Sequence, residues 1–302
     1  MARMRRKVLA DPFMTGGAAG SRLRTPLFFP SLGERPMAHQ ITGIDHARIA
    51  VADAGAARQA FVRLGFSVAP ATRDDAAGFI RFGTDYVELA APGDAGGDSE
   101  RLRRALAGAA GRLAGLGLVS RDLAASRQSL VRAGVEPLPP VGEGLISSIA
   151  LPDGLPPGLS TELRSVGGEA DGGFSEWREH PNTALGIVSL TVLLDNPEAA
   201  ISDYSRLFGP AACTPTDEMV TVHTGRGLIF LVSPNGFDDL HPGLDLRLPA
   251  APAMVALTIR VADLSRAADV LSANGVPVAR RGGHLGIPSR DALGIGLELA
   301  EA

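Results

Sequence analysis

The chain has 302 residues, which is too long for one ordinary hydrophobic core and predicts two domains of roughly 130 residues each. Its content of 45% hydrophobic and 21% charged residues excludes a wholly disordered protein. The formal net charge of −4 provides no overall basic field, so we expect neither nucleic acid nor an anionic membrane as a partner.

Two further features of the sequence bear on its compartment. Cys213 is the only cysteine, so the chain has no internal disulfide and no cysteine-rich zinc site. There is no run of about 18 apolar residues and no continuous apolar segment of a secretory signal. These features predict a cytoplasmic protein without a membrane span.

Residues 1–36 differ in composition from the rest of the chain. They are rich in Gly, Pro and Ser, and their charges are mostly basic: Arg3, Arg5, Arg6, Lys7, Arg22, Arg24 and Arg35 against Asp11 and Glu34. We interpret the segment as a flexible basic extension, and a targeting or anion-binding arm is the alternative interpretation. Met37, directly before the first periodic segment, is an alternative start of the chain.

The remaining chain carries a fourfold internal repeat. Four short β-rich segments each end in an aspartate, and these aspartates are 69, 73 and 68 residues apart. The segments are HARIAVAD (46–53), LGLVSRD (116–122), SLTVLLD (189–195) and ALTIRVAD (256–263). This regularity indicates four copies of one structural unit.

Each aspartate precedes a stretch with the apolar spacing of a helix, where an aspartate caps the first turn. A glycine follows each stretch and predicts the end of that helix. Each unit then closes with a β-rich segment: YVELAAP (86–92), STELRSV (160–166), LIFLVSP (228–234) or IGLELAEA (295–302). The turn-rich sequence in between leaves room for two more short strands. Each unit is therefore predicted to be a βαβββ module.

A sheet with a helix on one face cannot cover both of its surfaces, so the modules are expected to pair. The sequence predicts an α+β fold of two domains, residues 37–170 and residues 183–302, joined by the Gly-rich linker 166–174. Because both pairs can close within one chain, a monomer is sufficient, and a homodimer is the alternative.

The sequence resembles the vicinal oxygen chelate (VOC) superfamily, which includes glyoxalase I, extradiol dioxygenases and bleomycin resistance proteins. GIDHARIAV (43–51) and YVEL (86–89) look like the first and last strands of one module, and EWREHPNTALGIVSLTV (176–192) looks like the start of the second half of glyoxalase-like tandem proteins. The resemblance implies four βαβββ modules paired into two glyoxalase-like domains. It also implies cupped clefts in which first and last strands hold a divalent metal.

The same resemblance implies metal ligands at His46 in the first strand, and at Glu88 and Glu162 in the last strands of modules one and two. Such a set suits Mn, Fe, Ni, Zn or Mg, and Glu88 or Glu162 would also serve as the proton-transferring base. In the alternative interpretation His46 is only a hydrogen-bonded strand residue and both glutamates face outward, since a register change of one residue reverses the faces.

The sequence departs from the superfamily pattern at the fourth ligand position, where Gly115 has no side chain. His180, between the two halves, is a candidate replacement, and the alternative is a metal held by only three protein ligands and three waters. The equivalent positions of modules three and four hold Ser189, Phe230, Ala256 and Glu298. Only the glutamate among these four can ligate a metal. Before the final strand, His284 and Arg281 are candidates for binding an anionic group of the substrate.

Three functions follow from the resemblance. The first is a metal-dependent enzyme of glyoxalase, lyase or isomerase type that acts on a small oxygenated substrate through an enediolate-like intermediate. The second is a metal-free small-molecule binding or resistance protein, which Gly115 and the ligand-poor second half favour. The third is an iron-dependent ring-cleaving dioxygenase, although the second half lacks the first-strand histidines expected of that class.

Overall fold

The computed structural model describes residues 38–70, 76–93, 97–142, 147–165 and 177–301. The predicted extension at 1–36 and the predicted linker at 166–174 lie outside the described residues. Within the described ranges, no helix is long and apolar enough to cross a membrane.

Each half of the described chain forms the elements of two modules. The first half contains β1 (Ile41–Val51), α1 (Ala54–Arg63), β2 (Ala76–Arg81), β3 (Tyr86–Ala90), α2 (Gly97–Leu106), β4 (Gly111–Ser120), α3 (Leu123–Arg132), β5 (Ser148–Ala150) and β6 (Thr161–Ser165). The second half contains β7 (Ala184–Leu193), α4 (Ile201–Phe208), β8 (Cys213–Pro215), β9 (Met219–His223), β10 (Leu228–Val232), α5 (Pro234–Leu240), β11 (Ala253–Val261), α6 (Leu264–Ala273), β12 (Ala279–Arg281), β13 (His284–Ile287) and β14 (Gly296–Glu301).

Aspartate side chains begin three of the four repeat helices, as the sequence predicts. The backbone N–H three positions further on donates to Asp53, Asp122 and Asp263 at 2.8, 2.9 and 2.8 Å. The same prediction for Asp195 is wrong, because Asn196 accepts the equivalent hydrogen bond from the Ala199 N–H at 3.1 Å. The third module therefore enters α4 through a 3-10 turn at Glu198–Ala200.

The strand pairing confirms the predicted α+β fold of paired modules. The sheet orders are β2-β3-β1-β4-β6-β5 and β12-β13-β14-β11-β7-β10-β9-β8. In every module the first strand pairs in parallel with the last, as β1 does with β3 and β7 with β10. Two modules then join through antiparallel pairing of their first strands, β1 with β4 and β7 with β11.

Alternation along β1 separates the two faces of the first sheet. One face carries Ala47, Ile49 and Val51, which are buried in the main core together with residues of α1 and α3. The other face carries His46, Arg48 and Ala50. Helix α2 covers part of this second face, where Leu102 and Leu106 pack on Ala50 and Ala90. We call this partly covered face, with the cavity that it encloses, the first cup.

The segment around His180, between the two halves, forms a turn that hydrogen bonds hold against the first half. The Ser67 N–H donates to Nδ1 of His180 at 3.0 Å, and Nε2 of His180 donates to the Arg81 carbonyl at 2.9 Å. The Asn182 side chain donates to the Leu64 carbonyl at 2.9 Å. The suggestion that His180 replaces the missing metal ligand is therefore wrong, because both of its ring nitrogens bind the backbone.

A carboxylate from the first half reaches the second sheet where the pairing of β7 with β11 is irregular. Asp85, between β2 and β3, accepts a hydrogen bond from the Ile187 N–H at 2.9 Å. Gly186 permits this approach, since a Cβ there would lie 3.2 Å from an Asp85 oxygen. Burial raises the pKa of Asp85 to about 6, although the Ile187 bond and the charges of Arg226 and Arg260 oppose the increase.

Replacing Asp85 with asparagine is expected to stabilise the protein above pH 6. The raised pKa means that the native carboxylate costs stability, and this cost appears as the pH rises from about 4 to 6. Asparagine keeps an acceptor for Ile187 without the charge. One pKa unit corresponds to about 1.4 kcal/mol, so we expect a gain of about 1–3 kcal/mol at pH 8.

Urea unfolding of Asp85→Asn and of the wild type at pH 4 and pH 8 measures this effect. The difference between the two proteins should shrink at pH 4, where the wild-type carboxyl is protonated. Asp269→Asn, at an exposed position of α6, is the matched control and should change little at either pH. Equal stabilities of Asp85→Asn and wild type at pH 8 would contradict the expectation.

Candidate active site in the first cup

The sequence-predicted residues His46, Glu88 and Glu162 lie on one face of the first sheet. In the strand register, His46 of β1 is opposite Gly117 of β4, and Gly117 is in turn opposite Glu162 of β6. Glu88 of β3 is opposite Arg48 of β1. The three predicted residues therefore reach the first cup from three different strands.

Two glycines of β4 lie beside two large side chains of β1. A Cβ on Gly117 would lie 2.2 Å from the His46 ring, so only glycine admits the ring at this place. Arg48 passes beside Gly115, where a Cβ would be in ordinary contact, 3.4 Å from the Cβ of Arg48. The position that lacks a metal ligand is thus covered by an arginine.

His46 is buried and its orientation is fixed on two sides. Its Nδ1 lies 2.8 Å from Oδ2 of Asp45, and its ring stacks on Tyr86 with centroids 4.7 Å apart. Burial would raise the pKa of Asp45, but the contacts with His46 and Arg164 hold it below its usual value. Asp45 is therefore a carboxylate that accepts a hydrogen bond from the His46 ring. The other ring nitrogen, Nε2, lies 3.6 Å from Oε1 of Glu162, so the imidazole stands between two carboxylates.

Glu88 is bound by a cation of the protein itself. Arg48 donates from Nε to Oε2 of Glu88 at 2.8 Å and from Nη1 to both oxygens of Asp98 at 3.2 Å. Burial alone would lower the pKa of Arg48, but the carboxylates of Glu88 and Asp98 raise it above its ordinary value. The guanidinium is therefore a permanent positive charge in the first cup.

A cavity of about 160 Å³ lies between this face and α2. His46, Arg48 and Glu162 line it together with Leu102 of α2 and Thr161 of β6. The Thr161 side chain is buried, and its Oγ1 has no hydrogen-bond partner among the described residues. A hydroxyl left unpaired in such a place costs free energy until a ligand or a water binds it.

The three predicted ligands do not fit a divalent metal as they stand. In the described part of the chain, no three His, Cys, Asp or Glu side chains are arranged to hold an ion. His46 and Glu162 lie together, but Glu88 is held by Arg48. The two most buried carboxylates, Asp45 and Glu88, each already contact a guanidinium group, Arg164 and Arg48 respectively. A metal at Glu88 would require Arg48 to move.

The equivalent face of the second sheet contains a polar cluster that the sequence reading missed. His241 Nδ1 lies 2.9 Å from Oε2 of Glu298, and Nε2 lies 2.8 Å from the Thr191 hydroxyl. His284 Nδ1 lies 3.6 Å from the same Glu298 oxygen. Burial would raise the pKa of Glu298, but the two histidines lower it to about 2. His241 is itself buried.

The predicted substrate contacts His284 and Arg281 lie opposite each other in the β12–β13 hairpin. Arg281 is exposed, whereas His284 faces Glu298. Neither of them lines the cavity of the first cup. Around the Glu298 cluster, Phe230 and Phe237 belong to an apolar cluster that fills this side of the second sheet. The binding role of His284 and Arg281 therefore stays a prediction, and it would lie outside the first cup.

One known protein family matches more than half of this sequence. The family described as a glyoxalase-like domain matches residues 44–208 of the 302. Among curated proteins, no match to the sequence was found.

Solved structures share the fold at low sequence identity. A fusion of a xylose isomerase-like TIM barrel with 4-hydroxyphenylpyruvate dioxygenase has a TM-score of 0.62 and 16% identity over 88% of this chain, which spans 49% of the fusion protein. The Mn(II)-bound glyoxalase from Novosphingobium aromaticivorans has a TM-score of 0.58 and 13% identity, with 87% of this chain and 82% of that chain covered. A homoprotocatechuate 2,3-dioxygenase variant from B. fuscum has a TM-score of 0.57 and 11% identity, with 89% and 74% covered.

Proposed function

The chain belongs to the family of glyoxalase-like domains, and from that premise we propose that it is an enzyme that transfers a proton on a small oxygenated substrate in the first cup. The proposal rests on the position of the buried His46, which Asp45 holds by a hydrogen bond and which lines the cavity together with Glu162. A histidine whose other ring nitrogen binds a carboxylate is suited to general base catalysis.

Different residues around the cavity would perform the proton removal and the binding of the oxyanion in such a reaction. His46 removes a proton from a carbon next to a carbonyl group, and the proton then resides on Nε2. The electron pair of the broken C–H bond forms a C=C bond, and the carbonyl π pair moves to the oxygen. Arg48 lines the cavity, where its guanidinium group would bind the resulting oxyanion.

The two glutamates predicted as catalytic take different roles in this proposal. Glu162 lies 3.6 Å from Nε2 of His46 and lines the cavity, so it is the second group that exchanges a proton with the substrate. Glu88 does not line the cavity and instead holds Arg48 in place. We therefore propose Glu88 as a positioning residue.

A metal-dependent enzyme is the second candidate, and the proximity of His46 and Glu162 favours it. A histidine that ligates a metal also gives its other ring N–H to a carboxylate, as His46 does to Asp45. The similar glyoxalase from Novosphingobium aromaticivorans is described as Mn(II)-bound. His46 and Glu162 would hold the ion, with Glu88 as third ligand only after Arg48 leaves it. The ion, of the predicted set Mn, Fe, Ni, Zn or Mg, would polarise substrate oxygens.

Exchange of substrate protons with solvent tests the proton-transfer function without knowledge of the product. Small hydroxy-aldehydes, hydroxy-ketones and keto acids are first screened for binding by the change in melting temperature of the wild type. Compounds that bind are then incubated in D₂O with chelator-treated protein and followed by ¹H NMR. Loss of the signal of the proton next to the carbonyl, with wild type but not with His46→Gln, is the expected result.

Two outcomes of this experiment would count against the proposal. Exchange that is equally fast with His46→Gln would exclude His46 as the base. Binding in the first cup without any exchange, for every compound that binds, would favour the small-molecule binding protein over the enzyme.

A further inference from the structure

A second depression lies at the junction of the two halves, and it shares no lining residue with the first cup. It is an open groove of about 390 Å³. Its charged lining consists of Arg112, Arg247 and Arg290, and its apolar lining includes Ala109, Leu246 and Leu293. We call it the junction groove.

The walls of the junction groove come from different halves but are fixed against each other. Gly111, at the start of β4, approaches Leu293 so closely that a Cβ on the glycine would lie 2.9 Å from the Cβ of Leu293. The Ala52 N–H also donates to the Ala110 carbonyl at 2.9 Å, which anchors the wall of the first half on β1. The groove is therefore a defined shape rather than a gap between loops.

The charges of the groove are unbalanced. Arg112 and Arg247 have no side-chain partner among the described residues, and none of the lining residues is acidic. Arg290 is held only loosely, with nitrogen atoms 3.7 Å from Asp245 and 3.6 Å from Asp291. In the first cup, by contrast, Arg48 is matched by carboxylates. An anion in the junction groove would relieve the repulsion between the guanidinium groups.

We propose that the junction groove binds a small organic anion, with a phosphate or carboxylate group on Arg112 and Arg247 and an apolar body on Ala109, Leu246 and Leu293. The planar guanidinium group suits both anions, because it donates two parallel hydrogen bonds. Since the ligand would contact both halves, its binding should also raise the melting temperature. This site is additional to the proton-transfer site proposed for the first cup.

Calorimetric titration with four probes tests the inference on the full chain. The probes are phenyl phosphate, benzoate, inorganic phosphate and the neutral benzyl alcohol. We expect phenyl phosphate or benzoate to bind at one site more tightly than inorganic phosphate, and benzyl alcohol not to bind. Which of the two aromatic anions binds better identifies the anionic group.

Substitutions place the binding in the groove. Arg247→Gln and Arg112→Gln should each lower the affinity for the aromatic anion by about 10-fold or more, because each removes a charge-assisted hydrogen bond. Arg132→Gln, at an exposed position of α3 with the same change of charge, is the matched control and should leave the affinity within about 2-fold. His46→Gln should also leave it unchanged, which separates this site from the first cup.

Three results would overturn the inference. The first is that neither aromatic anion binds the wild type. The second is binding that Arg247→Gln and Arg112→Gln do not weaken beyond the Arg132→Gln control. The third is that inorganic phosphate binds as well as phenyl phosphate, which would indicate an adventitious ion only. Arg247 is exposed, so its variant tests the groove even if Arg112→Gln does not fold.

Discussion

Replacing His46 with glutamine is expected to lower the rate of proton exchange in a bound substrate by about 10²- to 10⁴-fold, the usual contribution of a positioned general base. Glutamine keeps a polar side chain over Gly117 but has no basic nitrogen. The same NMR experiment in D₂O measures the rate, and the melting temperature reports whether the variant is folded. We expect little change in substrate affinity, because Arg48 provides the contact with the substrate oxygen.

Asp45→Asn is the companion variant for this prediction. An asparagine can still accept the Nδ1 proton but does not carry the charge that favours the protonated ring. The exchange rate should therefore fall less than in His46→Gln. An exchange rate in His46→Gln within about 3-fold of the wild type would contradict the assignment of the base.

Replacing Arg48 with methionine is expected to destabilise the protein by about 3–5 kcal/mol, the cost of leaving a buried charge without its partner. The Glu88 side chain is only 4% exposed, and Arg48 is bound to it at 2.8 Å. Methionine keeps much of the volume over Gly115 but supplies no charge. Urea unfolding at pH 7 measures the loss.

The double variant Arg48→Met with Glu88→Gln should recover much of this stability, because the buried charge is then absent. Arg132→Met, at an exposed position of α3, controls for the general effect of the substitution and should change stability by less than about 0.5 kcal/mol. The buried Glu88 carboxylate does not need Arg48 for its stability if Arg48→Met is as stable as the wild type. The same conclusion follows if the double variant is no more stable than the single one.

The fold could be predicted because the features that define each module depend on residues close together in the sequence. Aspartate caps, glycines after the helices and β-rich segments recur in each module, and each of them acts within a few residues. Asp195 is the exception, because Asn196 next to it offers a cap one position later and the helix begins with a 3-10 turn instead. The sequence alone does not decide between two adjacent capping residues.

The family resemblance implies that His46, Glu88 and Glu162 share one face of the first sheet, and the strand register has them there. Strand alternation alone leaves the face open, but it places Arg48 on the same face as His46, which lies two residues earlier, so the ion pair with Glu88 had a signal in the sequence. The choice of Glu88 as its partner depends on the parallel register of β1 with β3, which is fixed only by the folded sheet.

His241 illustrates what the sequence does not reveal. It follows α5 in a loop, and its partner Glu298 is 57 residues away. The contact arises because Phe237 of α5 packs on the second sheet and brings His241 over the last strand. No periodicity connects these residues, so only tertiary packing identifies the pair.

In the proposed function, the first cup is built around its own cation, Arg48, with His46 as the base. Elemental analysis of protein purified without chelator and dialysed against Mn²⁺ and Zn²⁺ tests it most directly, with His46→Gln and Glu162→Gln alongside. We expect far less than one equivalent of metal in the wild type and no difference from the variants. One equivalent in the wild type that both variants lose would contradict the claim and establish the metal-dependent enzyme in its place.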